Sequence, residues 1–318
     1  MIKALCAAAF LLQAAAALGQ EISLGLGASS WQVEPRDRSY AWSIGYRHDL
    51  GERLFATFTY LNEGHVPGHH RDGEAVQLWA RAPLRDRRLE LAVGAGPYRY
   101  FDTALAEQSS LGTFRNAHGW AGVYSIAATW YSGRWLYRLQ ADRIEAPRAP
   151  DTTLVLASLG YRLEQDPSFG AAPPGRMARR REIVAMTGRT IVNSFESEHA
   201  FAKSVEYRHA FGRVVRASIG WIDEGDARLV RRNGAVAEAW LEPTFYGERL
   251  TMGIGGGGYV ALDDYRVDGR RHRALGIVSL TASCALAPAW NARLLWHRIA
   301  SNYDRDSDIV LLGLGYRF

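Results

Sequence analysis

The stretch WHRIASNYDRD sets His297, Ser301 and Asn302 a few residues ahead of Asp306 and Asp308. Such side chains can do hydrolytic chemistry. An imidazole takes the proton of a serine hydroxyl, and an acidic group orients the imidazole, provided all lie within hydrogen-bond reach. A second candidate group is GHVPGHHRDG, whose His65, His69, His70 and Asp72 are metal-capable donors. Its later counterpart, GDARLVRRNG, has no histidine, so a solvated polar loop is the simpler reading. No metal and no cofactor is expected. GIGGGGY carries Gly253, Gly255 and Gly258 at G-x-G-x-x-G spacing. No helix pattern opens after it, so a dinucleotide site is excluded and the glycines read as strand residues.

The elements that must position these groups are strands. In DIVLLGLGYRF, Val310, Leu312, Leu314, Tyr316 and Phe318 share one side, and Ile309, Leu311, Gly313, Gly315 and Arg317 the other. A period of two marks a strand, because a helix would scatter these side chains around its axis. Eight such segments run from residue 21 to 163, with no convincing helical pattern between them. Their connections alternate between short turns (HDLGER, PLRDRR, YSG) and long polar loops (EGHVPGHHRDG, FDTALAEQSSLGTFRNAH). This pattern predicts an all-β fold: a transmembrane antiparallel β-barrel with both termini at the short-turn, periplasmic end. A soluble β-sandwich is the competing fold. Aromatic residues at strand ends (Trp130, Tyr131, Trp135, Tyr161) and charges on the face that a sandwich would bury argue against it.

The same eight segments then recur. Tyr46-Arg47-His48 returns as Tyr207-Arg208-His209, and Trp79 as Trp240, at an offset of 161 residues. Beyond the long loop the offset becomes 155, where Trp135 meets Trp290 and the two GYR triplets coincide. The reading is a tandem duplication of an eight-stranded unit. The expected organisation is a signal peptide over 1–19, a first repeat over 20–163, a periplasmic linker over 164–182 and a second repeat over 183–318. The long Pro- and Arg-rich joint and the small inward residues favour two closed barrels. Unpaired strand edges are forbidden in lipid, however, and joining the copies satisfies every edge. That constraint tips the expectation slightly towards one ring of sixteen strands.

The amino terminus, with Lys3, an apolar run to Leu18 and a small-residue site at Ala17-Leu18-Gly19, reads as a secretory signal. Of the two cysteines, Cys6 lies inside that signal, so the mature chain holds Cys284 alone and no internal disulfide. The net charge of +5 is carried by arginine, since Lys3 and Lys203 are the only lysines. For an exported chain, nucleic acid is an unsuitable partner. Lipopolysaccharide, other outer-membrane lipids and acidic sugars are the expected counterparts.

Strand parity points Arg47, Glu63, Trp79, Arg81, Arg138 and Asp142 inward in the first copy. It does the same for Arg208, Glu224, Glu238, Trp240, Arg293 and His297 in the second. Mixed charges inside a barrel can form paired networks that fill it, or a porin-like lining whose arginines select anions or acidic saccharides.

The chain resembles Gram-negative outer-membrane β-barrel proteins as a class. The closing GLGYRF, with Tyr316 and Phe318, resembles the C-terminal signature read by the outer-membrane insertion machinery. His297, Ser301 and Asn302 resemble the His-x-Ser-Asn stretch of PagL-type lipid A deacylases, although the spacing here is four rather than two. That resemblance implies an ester hydrolase with His297 as base, Ser301 as nucleophile and Asp306 or Asp308 as acid. The function expected first is a channel or a structural, binding barrel. The alternatives are the deacylase and a surface receptor or adhesin using the long loops.

Overall fold

The computed structural model describes residues 19–33, 37–84, 88–109, 112–163, 180–212, 214–246, 249–264 and 271–318. The expected signal segment and most of the 164–182 joint lie outside these residues. Contacts divide the chain into two units, Met1–Ala106 with Ala117–Gly170, and Glu107–Asn116 with Ala171–Phe318.

The first barrel is built from β1 (Gln20–Trp31), β2 (Asp37–Asp49), β3 (Leu54–Val66), β4 (His69–Leu84), β5 (Leu89–Ser109), β6 (Gly112–Ser132), β7 (Trp135–Glu145) and β8 (Thr152–Leu163). Neighbours pair in chain order, and β1 closes on β8 from Gln20 opposite Leu163 to Trp31 opposite Thr152. The second unit comprises β9 (Arg181–Val192), β10 (His199–Ala210), β11 (Val215–Asp223), β12 (Arg232–Leu241), β13 (Thr244–Phe245), β14 (Leu250–Asp263), β15 (Arg271–Ala285), β16 (Trp290–Ala300) and β17 (Ser307–Arg317). It closes through β17 on β9 and β12 on β14, with the two-residue β13 a short addition beside β14.

The protein is therefore two closed antiparallel barrels in tandem, each of eight principal strands. The expected single ring of sixteen does not form. The reason is local: β1 and β8 pair over all twelve residues of each strand, so the first copy leaves no edge to offer the second.

Alternation governs what each wall shows. In β17, Ile309 and Leu311 are fully buried while Leu312 and Leu314 are more than half exposed. The same inversion of a soluble protein holds around both barrels. Leu24, Leu26, Val93, Ile126, Leu139 and Ile219 all face outward. Aromatics collect at the strand ends, where Trp135 meets Tyr161 edge-on at 5.1 Å and Trp290 meets Tyr316 at the same separation. Tyr316 and Phe318, the residues of the expected insertion signature, are both exposed and their rings stack at 6.3 Å.

Two segments expected to be long loops are strands instead. β3 and β4 continue to Val66 and from His69, joined by a tight turn at Gly68. β5 and β6 reach 21 residues each, against twelve in β1 and β8. Polar and apolar residues fall in runs in these stretches, as in Asp102-Thr103, Ala104-Leu105-Ala106 and Glu107-Gln108-Ser109. A strand that projects beyond an apolar belt keeps the period of two while losing its hydrophobic face.

Gly64 has φ +84°, and a Cβ there would meet the Tyr40 carbonyl oxygen at 2.1 Å. Its amide donates to Asn62 Oδ1 at 3.0 Å. The turn is repeated in the second barrel, where Gly225 (φ +79°) donates to Asp223 Oδ1 at 3.0 Å. Gly64→Ala should lower the urea midpoint of the folded, heat-modifiable band by the equivalent of about 1–3 kcal/mol of backbone strain, or more with the clash. Gly51→Ala, with open space around the added methyl, should leave that midpoint unchanged.

Candidate functional site

The chemistry of both barrels lies inside them. In the first, Arg71 of β4 donates from Nε and Nη2 to the two oxygens of Glu63, both at 2.6 Å. Tyr98 donates to the same carboxylate at 2.9 Å, and the Thr152 hydroxyl donates to it as well. The Arg71 guanidinium also reaches the Pro150 carbonyl at 2.7 Å and lies 4.5 Å from the Trp31 ring. The second barrel repeats the arrangement. Arg232 binds Glu224 through 2.7 and 2.8 Å bonds, Ser307 replaces Thr152, and the Arg305 carbonyl replaces that of Pro150. Both pairs are withdrawn from water.

A second cluster occupies the short-turn half of each lumen. In the first barrel Arg47 grips Glu90 with bonds of 2.6 and 3.0 Å, bonds Asp49 at 2.8 Å, and lies 3.6 Å from the Phe55 ring. Arg81 joins Glu90 at 3.2 Å, and Arg138 meets Glu21 at 3.3 Å. In the second barrel Arg208 bonds Glu206 at 2.7 Å and also pairs with Glu242, while Arg293 meets Glu182 at 3.2 Å. Arg81 and Glu242 occupy equivalent positions, so one cationic corner has become anionic and its partners have changed with it.

Between these clusters stand Trp79 and Trp240, each donating its indole N–H to a hydroxyl, Thr57 or Ser218, at 2.9 Å. Gly94 and Gly255 face the indoles so closely that a Cβ would come within 2.3–2.4 Å of a ring carbon. Apolar side chains complete the filling, among them Ile144, Leu154 and Leu156 in the first barrel and Leu295, Ile309 and Leu311 in the second. A cavity of about 20 Å³ in the first barrel, bordered by Glu21, Ser43, Arg47, Trp79, Arg138 and Ser158, has room for one water.

All the residues assigned inward by parity are placed in these interiors. Glu63 and Glu224 are gripped by arginines of their own barrels, and Asp142 accepts from Gln140 at 2.8 Å. The hydrolase candidates are divided. Ser301 donates to Asp306 at 3.0 Å, so nucleophile and acid are together. His297 has other partners: its Nδ1 lies 2.6 Å from the Ser279 hydroxyl and its Nε2 faces Glu206 at 3.7 Å. In the histidine-rich hairpin, His69 bonds Asp102 at 2.8 Å and His65 stacks on His70 at 3.8 Å.

Sequence reasoning missed Arg71, Glu90, Glu206, Ser279 and Glu242. Arg71 fell in a segment read as loop. Glu206 shares parity with Arg208, and Glu90 interrupts LELAV as the inward member between two outward leucines, so period two could have found both.

No protein-family model matches the chain, and no curated protein does either. Solved structures similar to it include the N-terminal β-barrel domain of Pseudomonas aeruginosa OprF, at 11% identity over 45% of this chain and 98% of that one, with a TM-score of 0.36. Ail, the attachment invasion locus protein of Yersinia pestis, is similar at 10% identity over 46% and 98%, TM-score 0.35. The translocator domain of the autotransporter NalP from Neisseria meningitidis shows 13% identity over 99% and 94%, TM-score 0.21. The barrel architecture described above rests on the strand pairing of this chain itself.

Glu63→Gln should cost the first barrel about 3–5 kcal/mol, because it leaves the Arg71 guanidinium buried without a counter-charge. The double variant Glu63→Gln/Arg71→Met should recover part of that loss. Urea unfolding followed by tryptophan fluorescence checks both.

Proposed function

We propose that this chain is an integral outer-membrane protein whose two barrels serve as a structural and binding unit in the lipid, rather than as a wide solute channel. The observation that carries this reading is the inversion of each barrel. Outside, leucine, valine and isoleucine side chains stand exposed in a belt bordered by Trp and Tyr. Inside, arginines pair with carboxylates of their own barrel. Such an exterior suits hydrocarbon, and closure removes the free strand edges that lipid forbids.

The filled interior limits what can pass. A hydrated ion needs a continuous aqueous path, and an eight-stranded barrel encloses a space just large enough for its own side chains. The Arg47–Glu90 and Arg208–Glu242 clusters, with Trp79 and Trp240 above them, occupy that space. The arginines are paired with carboxylates of their own barrel, so they do not line a free anion path.

Binding then belongs to the exposed ends. The β5–β6 hairpin extends well beyond the twelve-residue strands that close the first barrel. With the termini periplasmic, the ends of the longest strands would lie on the side that meets a macromolecular or saccharide partner. Lipopolysaccharide is the lipid whose phosphates the arginine-rich chain would meet at that leaflet. The hydrolase reading gains nothing from the geometry, since Ser301 is committed to Asp306 and His297 to Ser279.

Refolded mature protein in planar bilayers should give no steps of open-pore size, while a heat-modifiable gel band confirms that it has folded. Regular, large conductance steps from the same preparation would establish a channel and overturn this reading.

A further inference from the structure

The two barrels serve as internal controls for each other at one interior position. In the first, Gly45, Gln77, Ser125 and Asp142 come together, and Gln77 donates to Ser125 at 2.8 Å. The equivalent residues of the second are Glu206, Glu238, Ser279 and His297. The register agrees with this assignment, since Ser125 lies opposite Asp142 and Ser279 opposite His297. A glycine, an amide and a carboxylate have thus become two carboxylates and an imidazole.

The second set does not satisfy itself. The Ser279 hydroxyl has one proton, and it donates to Glu238 Oε1 at 2.5 Å. It therefore accepts from His297 Nδ1–H at 2.6 Å, and the tautomer leaves a lone pair on Nε2. That nitrogen faces Glu206 Oε1 at 3.7 Å. Glu206 Oε2 is taken by Arg208 at 2.7 Å. His297 Nε2, Glu206 Oε1 and Glu238 Oε2 remain without a hydrogen-bond partner, on residues that are 0%, 0% and 4% exposed. One donor atom from each residue falls within a sphere where all lie less than 4.8 Å apart.

Three acceptors gathered within 4.8 Å of one another and away from water repel unless a cation or a shared proton stands among them. We propose that Glu206, Glu238 and His297 form a binding site for a divalent first-row metal ion inside the second barrel. Ser279 orients the imidazole and one carboxylate from behind. The donor set, one imidazole nitrogen and two carboxylate oxygens, is that of zinc, manganese and iron(II) sites. Ligand atoms around such an ion stand roughly 3.3–3.5 Å apart, so the 3.7 Å between Nε2 and Glu206 Oε1 needs little adjustment, whereas Glu238 Oε2, 3.8 Å from Nδ1, turns towards Nε2 to complete the set. The hydroxyl that holds Nδ1–H fixes the tautomer a metal requires. Because the interior is packed, the ion enters as the barrel folds. The inference rests on the second barrel's interior alone and stands apart from the membrane role proposed above.

The test is to refold the full mature chain with zinc or manganese(II), remove free metal with a chelator and a desalting step, and measure bound metal by mass spectrometry. About one equivalent per chain should remain with one of the two ions. Glu238→Gln and His297→Asp, which install the first barrel's own residues, should lose it while keeping the heat-modifiable folded band. Asp142→Asn, in the first barrel, should retain it. The wild-type chain should also show a higher urea midpoint when refolded with the bound ion than with chelator. Wild-type protein that keeps no metal and shows no midpoint shift would mean that shared protons fill the cluster, and the proposal would fall. Equal retention by the folded variants would overturn it too.

Discussion

A guanidinium held by both oxygens of a carboxylate, out of reach of water, recurs in each barrel as Arg71 on Glu63 and Arg232 on Glu224. The rest of the structure depends on such pairs. A barrel whose outside is apolar must put its polar side chains inside, where each unpaired charge costs several kcal/mol. The pairing is therefore a condition of closure, and it ties strands far apart in sequence to one another. Glu63 alone joins β3, β4, β5 and β8 through Arg71, Tyr98 and Thr152. An interior organised in this way is a plug, and the functional reading as a structural and binding barrel follows from that.

The two copies show how such an interior can change without losing closure. The carboxylate–guanidinium pair, the Trp–hydroxyl bond and the glycine facing each indole are kept in both. What varies is the corner around Arg47 and Arg208, where Arg81 becomes Glu242 and Glu90 becomes Thr251. There the second barrel draws its counter-charges from Glu206 and Glu242 instead. The cluster of Glu206, Glu238 and His297 is a place where the exchange gathers acceptors without donors between them. The corresponding first-barrel position, with Gln77 bonded to Ser125 and one carboxylate, Asp142, in place of two, shows that a less charged solution exists on the same strands.

Much of this was legible in the sequence because period two is a local property. Which side of β17 faces out follows from Val310, Leu312 and Leu314 without any knowledge of their neighbours. The inward positions of Arg47, Glu63 and Arg293 follow in the same way. The closure was not legible, because nothing in β1 or β8 alone says whether its free edge meets the other end of its own copy or the next copy. That choice depends on curvature accumulated over eight strands. The extended hairpins were missed since polar segments such as FDTALAEQSS, whose polar and apolar residues fall in runs, lack the alternating apolar face by which a strand in lipid is recognised. Arg71 was lost with one of them. The residues of the further site were hidden for another reason: His297 was weighed with Ser301, its neighbour in sequence, while its partners Ser279, Glu238 and Glu206 come from three other strands.

The central claim is that each copy closes on itself, and disulfide trapping in the intact chain tests it most directly. With Cys284→Ser as background, Leu24→Cys and Leu159→Cys face each other across β1 and β8 on the outer wall. The account predicts that this pair oxidises readily in the folded protein, and that Leu24→Cys combined with Leu314→Cys, the position in β17 equivalent to Leu159, does not. Efficient trapping of the second pair and none of the first would place β1 beside the last strand, and the chain would be a single ring of sixteen.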